Sequence, residues 1–245
     1  MARVGAVLRV AVRTVGELLV TFSVVMALFM VYQLYYTNLV GRQLMDDEVS
    51  ALHKQWSTGA AAAPAAVPVA VASSPADPGP GPASAPSSAP ASGATAAGTT
   101  VAILHIPRLG TGADTSGTPV LEGVGLDVLN KAAGHYPGTA LPGRLGNFAV
   151  AGHRKTHGEP FRHLDELRAG DLVTVETATA WYTYRIDTGP VIVAPSDVDV
   201  VDAVPGRPGA APTGSLITLT TCDPWWSSTR RMIVTGHLLS SRPRP

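Results

Sequence analysis

The chain has 245 residues and carries 18 Lys plus Arg against 18 Asp plus Glu, a formal net charge of zero. That balance leaves no basic surplus for a nucleic-acid partner. The lone cysteine, Cys222, excludes an intramolecular disulfide and any multi-cysteine metal site.

Residues Val15 to Tyr36 form the most apolar stretch, and Leu18 to Tyr32 contain no charge. As a helix, a run of this length spans roughly 33 Å, about the thickness of a bilayer's hydrocarbon core. Tyr32, Tyr35 and Tyr36 gather at its end as an aromatic belt. Arg3, Arg9 and Arg13 precede it, whereas Asp46, Asp47 and Glu48 follow. The positive-inside bias then predicts residues 1–14 in the cytoplasm, a transmembrane helix over 15–36 and the remainder outside. A cleaved signal peptide is the alternative, but the apolar region is long for one and no small-x-small site follows it directly.

Thr37 to Trp56 is mixed and polar, with an extension of the helix as one reading. From Ser57 to about Gly98 the chain is almost wholly Ala, Pro, Ser and Gly. Such a composition has no core to build and reads as a disordered spacer. About 40 residues reach roughly 35 Å as a flexible coil and up to about 125 Å as polyproline, enough to carry a domain clear of the headgroups. Residues 37–99 are thus an extracellular juxtamembrane segment and linker, and 100–245 the folded domain.

Beyond Thr99, short apolar runs alternate with glycine and proline. Strands are expected at Val101–Ile106, Asn147–Ala151, Asp171–Thr177, Ala180–Asp187, Pro190–Ala194, Ser215–Thr221 and Arg231–Leu239. Helix is expected only at Glu159–Arg168 and Leu126–Ala132. Many strands with few helices imply an all-β sandwich or small barrel.

The run Ser215-Leu-Ile-Thr-Leu-Thr-Thr-Cys222 is a strand that ends on the thiol. Asp223-Pro224 follows, and the proline stops the ladder. The thiol therefore stands at a strand end beside a loop, in reach of a substrate. A second strand, Asn147 to Gly152, ends at His153. A free thiol has a pKa near 8.5 and is only a few per cent thiolate at pH 7, so a nucleophilic cysteine gains from an imidazole beside it. The same imidazole can protonate an amine leaving group. Arg231 opens a strand nine residues after Cys222, where a hairpin returns it to the thiol as a donor to a developing oxyanion.

In this order and spacing the residues resemble the sortase family. Thr218-Leu-Thr-Thr-Cys222 is similar to the family's Thr-Leu-x-Thr-Cys strand, with the Gly-His strand end upstream and the arginine strand downstream. Ile103-Leu-His-Ile-Pro-Arg108, Gly134-His-Tyr-Pro-Gly138 and Pro160-Phe161 fit as well. The resemblance covers about Val101 to Leu239 and by detail is to class E sortases. It implies a closed eight-stranded barrel and a membrane-anchored cysteine transpeptidase. It also implies a catalytic trio of Cys222, His153 and Arg231, with Tyr136 and Thr221 at the substrate. The implied reaction cleaves a sorting signal of Leu-Ala-x-Thr-Gly or Leu-Pro-x-Thr-Gly type between Thr and Gly, through an acyl-enzyme on Cys222. The acyl group then passes to the amine of a peptidoglycan precursor. Partners are therefore secreted proteins bearing that signal; no cofactor, metal or nucleic acid is called for. One departure stands out. Class E members often carry His-Pro after the cysteine, where this chain has Asp223-Pro224-Trp225-Trp226. An acid there disfavours the thiolate and stabilises an imidazolium if it points inward.

Competing readings are another extracellular thiol peptidase or transpeptidase, and a tethered binding module without chemistry. His153 and His157 lie four apart, but in a polar, glycine-containing stretch that lacks the glutamate of a zinc-protease helix. Arg154 and Lys155 read as solvated. His135 is read either as lining the cleft or as supporting a turn.

Overall fold

The computed structural model describes residues 2–58, 96–110 and 117–244. Most of the expected linker therefore lies outside the described residues. Helix α1 (Ala2–Val31) holds the apolar span, with Ala11–Val31 long and apolar enough to cross a membrane, about four residues earlier than the sequence reading. A π-helical turn, Tyr32–Tyr36, leads without a break into α2 (Thr37–Ser57).

The folded domain has nine strands: β1 (Thr100–His105), β2 (Thr118–Glu122), β3 (Ala133–His135), β4 (Gly146–Ala151), β5 (Leu172–Glu176), β6 (Ala180–Ile186), β7 (Val191–Val193), β8 (Ser215–Asp223) and β9 (Arg230–Pro243). Their order, β6-β5-β1-β2-β3-β4-β8-β9, closes through β6–β9 into an eight-stranded barrel. β7 continues along the edge of β9 beside β6, opposite Arg231–Ile233. Two pairings are parallel, β2–β3 and β4–β8.

Alternation sends one face of each strand inward. Ala102 and Leu104 of β1, Val173 and Val175 of β5, Phe148 and Val150 of β4, and Ile217 and Leu219 of β8 fill the interior. Tyr184 is also fully buried; its hydroxyl accepts from Gly143 N–H at 2.8 Å, and burial raises its pKa to about 12.

Helix α3 (Leu126–Leu129) is shorter than expected, and the helix expected over 159–168 is not formed. His157, Gly158 and Glu159 all have positive φ, which helix geometry forbids. Only a 3-10 turn at Leu164–Glu166 follows. Phe161, Leu164 and Leu167 recur every third residue and plug the barrel from turns.

α2 docks on the outside of the barrel. Val49 and Leu52 pack on Ile103, the outward residue of β1, and Trp56 joins them. Glu48 accepts from the Thr100 hydroxyl at 2.8 Å. Buried Glu176 pairs with His53 of α2 at 3.2 Å, His105 of β1 at 3.0 Å and Arg244 after β9 at 3.1 Å. The helix that continues the apolar span therefore holds the barrel directly.

Candidate active site

The thiol strand runs between two neighbours that both serve the site. On one side β9 is antiparallel, and Cys222 lies directly opposite Arg231. On the other β4 is parallel, with Ala151 opposite Thr220. Continuing that register, Gly152 N–H donates to Thr220 O at 3.0 Å, and the Thr221 hydroxyl donates to Gly152 O at 2.8 Å. His153 thus arrives beside Cys222. Three strands deliver the three residues to one end of the barrel.

Ile217 and Leu219 point inward, so Thr218, Thr220 and half-buried Cys222 line the outer face of β8. Thr218 donates to Asn147 Oδ1 at 2.9 Å, and Asn147 Nδ2 donates to Asp202 O at 3.0 Å, so the connection after β7 covers the far end of this face. Nearer the thiol, the Tyr136 hydroxyl meets Thr220 Oγ1 at 3.1 Å. Tyr136 is on the cysteine's face. Thr221 is not: its side chain is inward and 3% exposed, and its hydroxyl is spent on Gly152. Thr221 locks the histidine strand to the cysteine strand, and Thr220, equally buried, stands on the face of Cys222.

His153 is stacked on His157, ring centroids 5.2 Å apart, and its buried Nε2 has no hydrogen-bond partner among the described residues. Burial pushes the His153 pKa below the usual imidazole value, and the neighbouring His157 adds to the shift. Among the described residues no three His, Cys, Asp or Glu side chains are gathered as metal ligands.

Arg230 and Arg231 separate cleanly. Arg231 shares the thiol's face, and its Nη1 is held by Ser228 O and Arg230 O at 3.0 Å each. Arg230 instead closes on Asp223 Oδ2 at 2.7 Å as an ion pair without hydrogen-bond alignment. Asp223 Oδ1 receives Arg154 Nη1 at 2.7 Å, and Arg154 also reaches Asp165 at 3.2 Å. The Arg154 side chain is only 9% exposed, so it is not solvated as its sequence context implied. Flanked by two guanidinium groups, Asp223 has its charge compensated away from the thiol's face. Lys155 Nζ sits 3.5 Å over the ring of Trp225, a second tie between the loops that follow His153 and Cys222. No local pattern in the sequence announces these long-range pairs.

His135 supports a turn. Its Nδ1 meets Glu122 at 2.7 Å and its Nε2 meets the Thr139 hydroxyl at 2.9 Å, while that hydroxyl donates to Tyr136 O at 2.8 Å. This buried chain fixes the turn that presents Tyr136. The loop after His153 is held from outside by α2. Asn38 Nδ2 donates to Lys155 O at 3.3 Å and to Glu159. Gly41 packs so closely that a Cβ there would lie 2.5 Å from Gly158 N.

A family model described as "Sortase domain" matches residues 104–239, the barrel that carries all three residues. The chain belongs to the sortase family. It is 36% identical to Sortase SrtE1 of Streptomyces coelicolor over 96% of this chain, and 32% identical to Sortase SrtE2 of the same organism over 97%. It spans 59% of the length of SrtE1 and 85% of SrtE2. Among solved structures, sortase E from Streptomyces avermitilis is 47% identical, covering 62% of this chain and 97% of that one with a TM-score of 0.54. Sortase E1 from Streptomyces coelicolor, solved with a tripeptide in its active site, is 40% identical, covering 60% and 91% with a TM-score of 0.53. These relatives bear out the class E resemblance, and the closed barrel is the sortase fold.

Proposed function

We propose that this sortase-family protein is a membrane-anchored cysteine transpeptidase whose nucleophile is Cys222, with His153 as general acid and base and Arg231 as the oxyanion donor. The observation that carries the reading is the meeting of three positions: Cys222 one residue before the end of β8, Arg231 its direct partner on β9, and His153 two residues beyond the end of parallel β4. The Cys222 thiolate attacks the Thr carbonyl carbon of a Thr-Gly bond, and Arg231 stabilises the oxygen that takes up the electron pair. His153 gives its proton to the departing glycine amine, which leaves a thioester on Cys222. An acceptor amine then attacks the thioester, His153 takes the proton, and Cys222 departs as the thiolate as the new amide forms. Loss of a single oxyanion donor typically costs about a hundred- to a thousand-fold in rate.

The sorting signal on this reading is of Leu-Ala-x-Thr-Gly or Leu-Pro-x-Thr-Gly type, with Tyr136 near its second position and a peptidoglycan-precursor amine as acceptor. Residues 1–14 are cytoplasmic and 15–36 span the membrane. Residues 37–99 and the catalytic domain from 100 lie outside, in accord with the arginines before the apolar helix and the acids after it. Incubation of the full chain in detergent with quenched peptides of both types and a glycine-type amine tests the proposal. Cleavage between Thr and Gly with transfer to the amine, lost in Cys222→Ala, is expected. Absence of turnover and of any trapped thioester on both peptides would overturn it.

A further inference from the structure

A groove of about 720 Å³ lies where α1 passes into α2 against the barrel, away from Cys222. One wall is apolar and aromatic, with Tyr35, Tyr36 and Leu39; the other presents Arg42, Lys155 and Arg162. The apolar window of α1 ends at Val31, so the tyrosines stand at the edge of the hydrocarbon if α1 spans a bilayer. Arg42 follows Tyr36 by six residues, about 9 Å along the helix, the depth of a headgroup layer.

Charge in the groove is uncompensated. Arg42 and Arg162 converge on one carboxylate, Glu159, at 3.9 Å and 2.5 Å, and Glu159 is buried while both guanidinium groups remain more than half exposed. A single acid offsets one of the two cations, and Lys155 adds a third. Asp46 lies one turn farther from the apolar span than Arg42 and lines a neighbouring pocket rather than this groove. Each guanidinium has five N–H donors in a planar fork suited to phosphate, and Glu159 engages few of them. An apolar wall below gathered cations is complementary to an amphiphile with an anionic head.

We propose that this groove binds an anionic phospholipid of the membrane the anchor crosses. The phosphate lies between Arg42 and Arg162, and the upper acyl chain runs along Tyr35, Tyr36 and Leu39. Because Lys155 and Arg162 belong to the segment after His153, the bound lipid fixes that segment's face of the barrel to the bilayer surface. The inference rests on the membrane-anchored reading.

The test reconstitutes the full chain in nanodiscs of equimolar phosphatidylcholine and phosphatidylglycerol, then releases it in mild detergent for native mass spectrometry. One retained phosphatidylglycerol in preference to phosphatidylcholine is expected. The double variant Arg42→Gln/Arg162→Gln is expected to lose that preference at least tenfold, read on protein that circular dichroism shows to be folded at the temperature of release. Equal retention of both lipids, or a preference untouched by the double variant, overturns the proposal. Displacement of the lipid by millimolar glycerol phosphate reassigns the groove to a free phosphate and also overturns it. Failure of the chain to enter the nanodisc sinks the anchored reading and the lipid site together; entry without lipid preference sinks the lipid site alone.

Discussion

Arg154 donates to Asp223 across 2.7 Å, so the residue that follows the imidazole is tied to the residue that follows the thiol. Both side chains are about nine-tenths buried. Removal of one partner leaves a charge stranded in a low-dielectric setting, which is typically far more costly than loss of the pair as a whole. Asp223 keeps Arg230 when Arg154 is lost, whereas Arg154 keeps only half-exposed Asp165 when Asp223 is lost.

Arg154→Ala is therefore expected to destabilise the domain by about 3 kcal/mol, the lower end of the range for breaking a buried pair. Asp223→Asn is expected to do similar damage, and the two together less than their sum. A double-mutant cycle by denaturant unfolding reads the coupling, expected above about 1 kcal/mol for groups in direct contact. Additive losses would show that the pair does not hold the two loops to each other.

Burial and His157 hold the His153 pKa below the usual imidazole value of 6.5. The unfolded chain therefore takes up this proton at higher pH than the folded one. Below pH 6.5 folding stability falls, and it goes on falling until the lower folded pKa is reached. His153→Gln is expected to flatten that loss, seen as a smaller drop in melting temperature between pH 7.5 and 5. Proton-resolved NMR should place the His153 midpoint below 6.5, and His157→Gln should move it upward. A midpoint at or above 6.5 in the parent would contradict a half-buried imidazole whose Nε2 lacks a partner among the described residues.

Glu176 is 2% exposed and gathers His53, His105 and Arg244 from three separate elements. Burial raises its pKa, but hydrogen bonds from His105 and His53 and the nearby charges outweigh burial and leave it below the ordinary carboxyl value. Its stabilising contribution is present above that ordinary value and is lost as pH falls through the lowered one. Glu176→Gln is expected to cost about 2 kcal/mol at pH 7, in the range for a buried polar group that loses its charged partners. The variant and parent should converge in stability toward pH 3, measured by denaturant unfolding. An unchanged difference at low pH would assign the loss to packing rather than charge.

The barrel was legible wherever strands alternate. Val173 and Val175, Ile217 and Leu219 show their inward faces in the sequence, and seven of the nine strands were expected within a few residues of their bounds. β2 and β3 escaped because Thr118-Pro-Val-Leu-Glu122 carries a proline within it and Ala133-Gly-His135 is only three residues long, so neither offers a readable strand pattern. The positions of Cys222, His153 and Arg231 followed from strand ends and from a motif. The helix expected at 159–168 failed because apolar spacing there fits turns as well as helix, and nothing local betrays three left-handed residues. The docking of α2 was hidden for another reason. Its contacts with β1, Glu176 and the loop after His153 join residues more than fifty positions apart, and no periodicity reports such pairs.

Gly41 makes that docking testable. A Cβ at this position would lie 2.5 Å from both Gly158 N and His157 C, backbone atoms that cannot swing aside. His157 and Glu159 hold φ near 54° and 55°, a conformation that persists only where the surroundings impose it. α2 imposes it through Gly41, through Asn38 on Lys155 O and Glu159, and through Met45 against Gly158. Gly41→Val is therefore expected to lift α2 and release the segment on which His157 stacks against His153. The turnover number for peptide cleavage should fall on the order of tenfold to a hundredfold, as misplacement of a catalytic group by about 1 Å does. KM should change little, because Tyr136 and Thr220 are held by each other and by β4 rather than by Asn38, Gly41 or Met45 of α2. Gln43→Val, on the exposed face of the same helix, should behave like the parent. Parent-like turnover in Gly41→Val would show that the helix anchors the barrel without holding its catalytic loop.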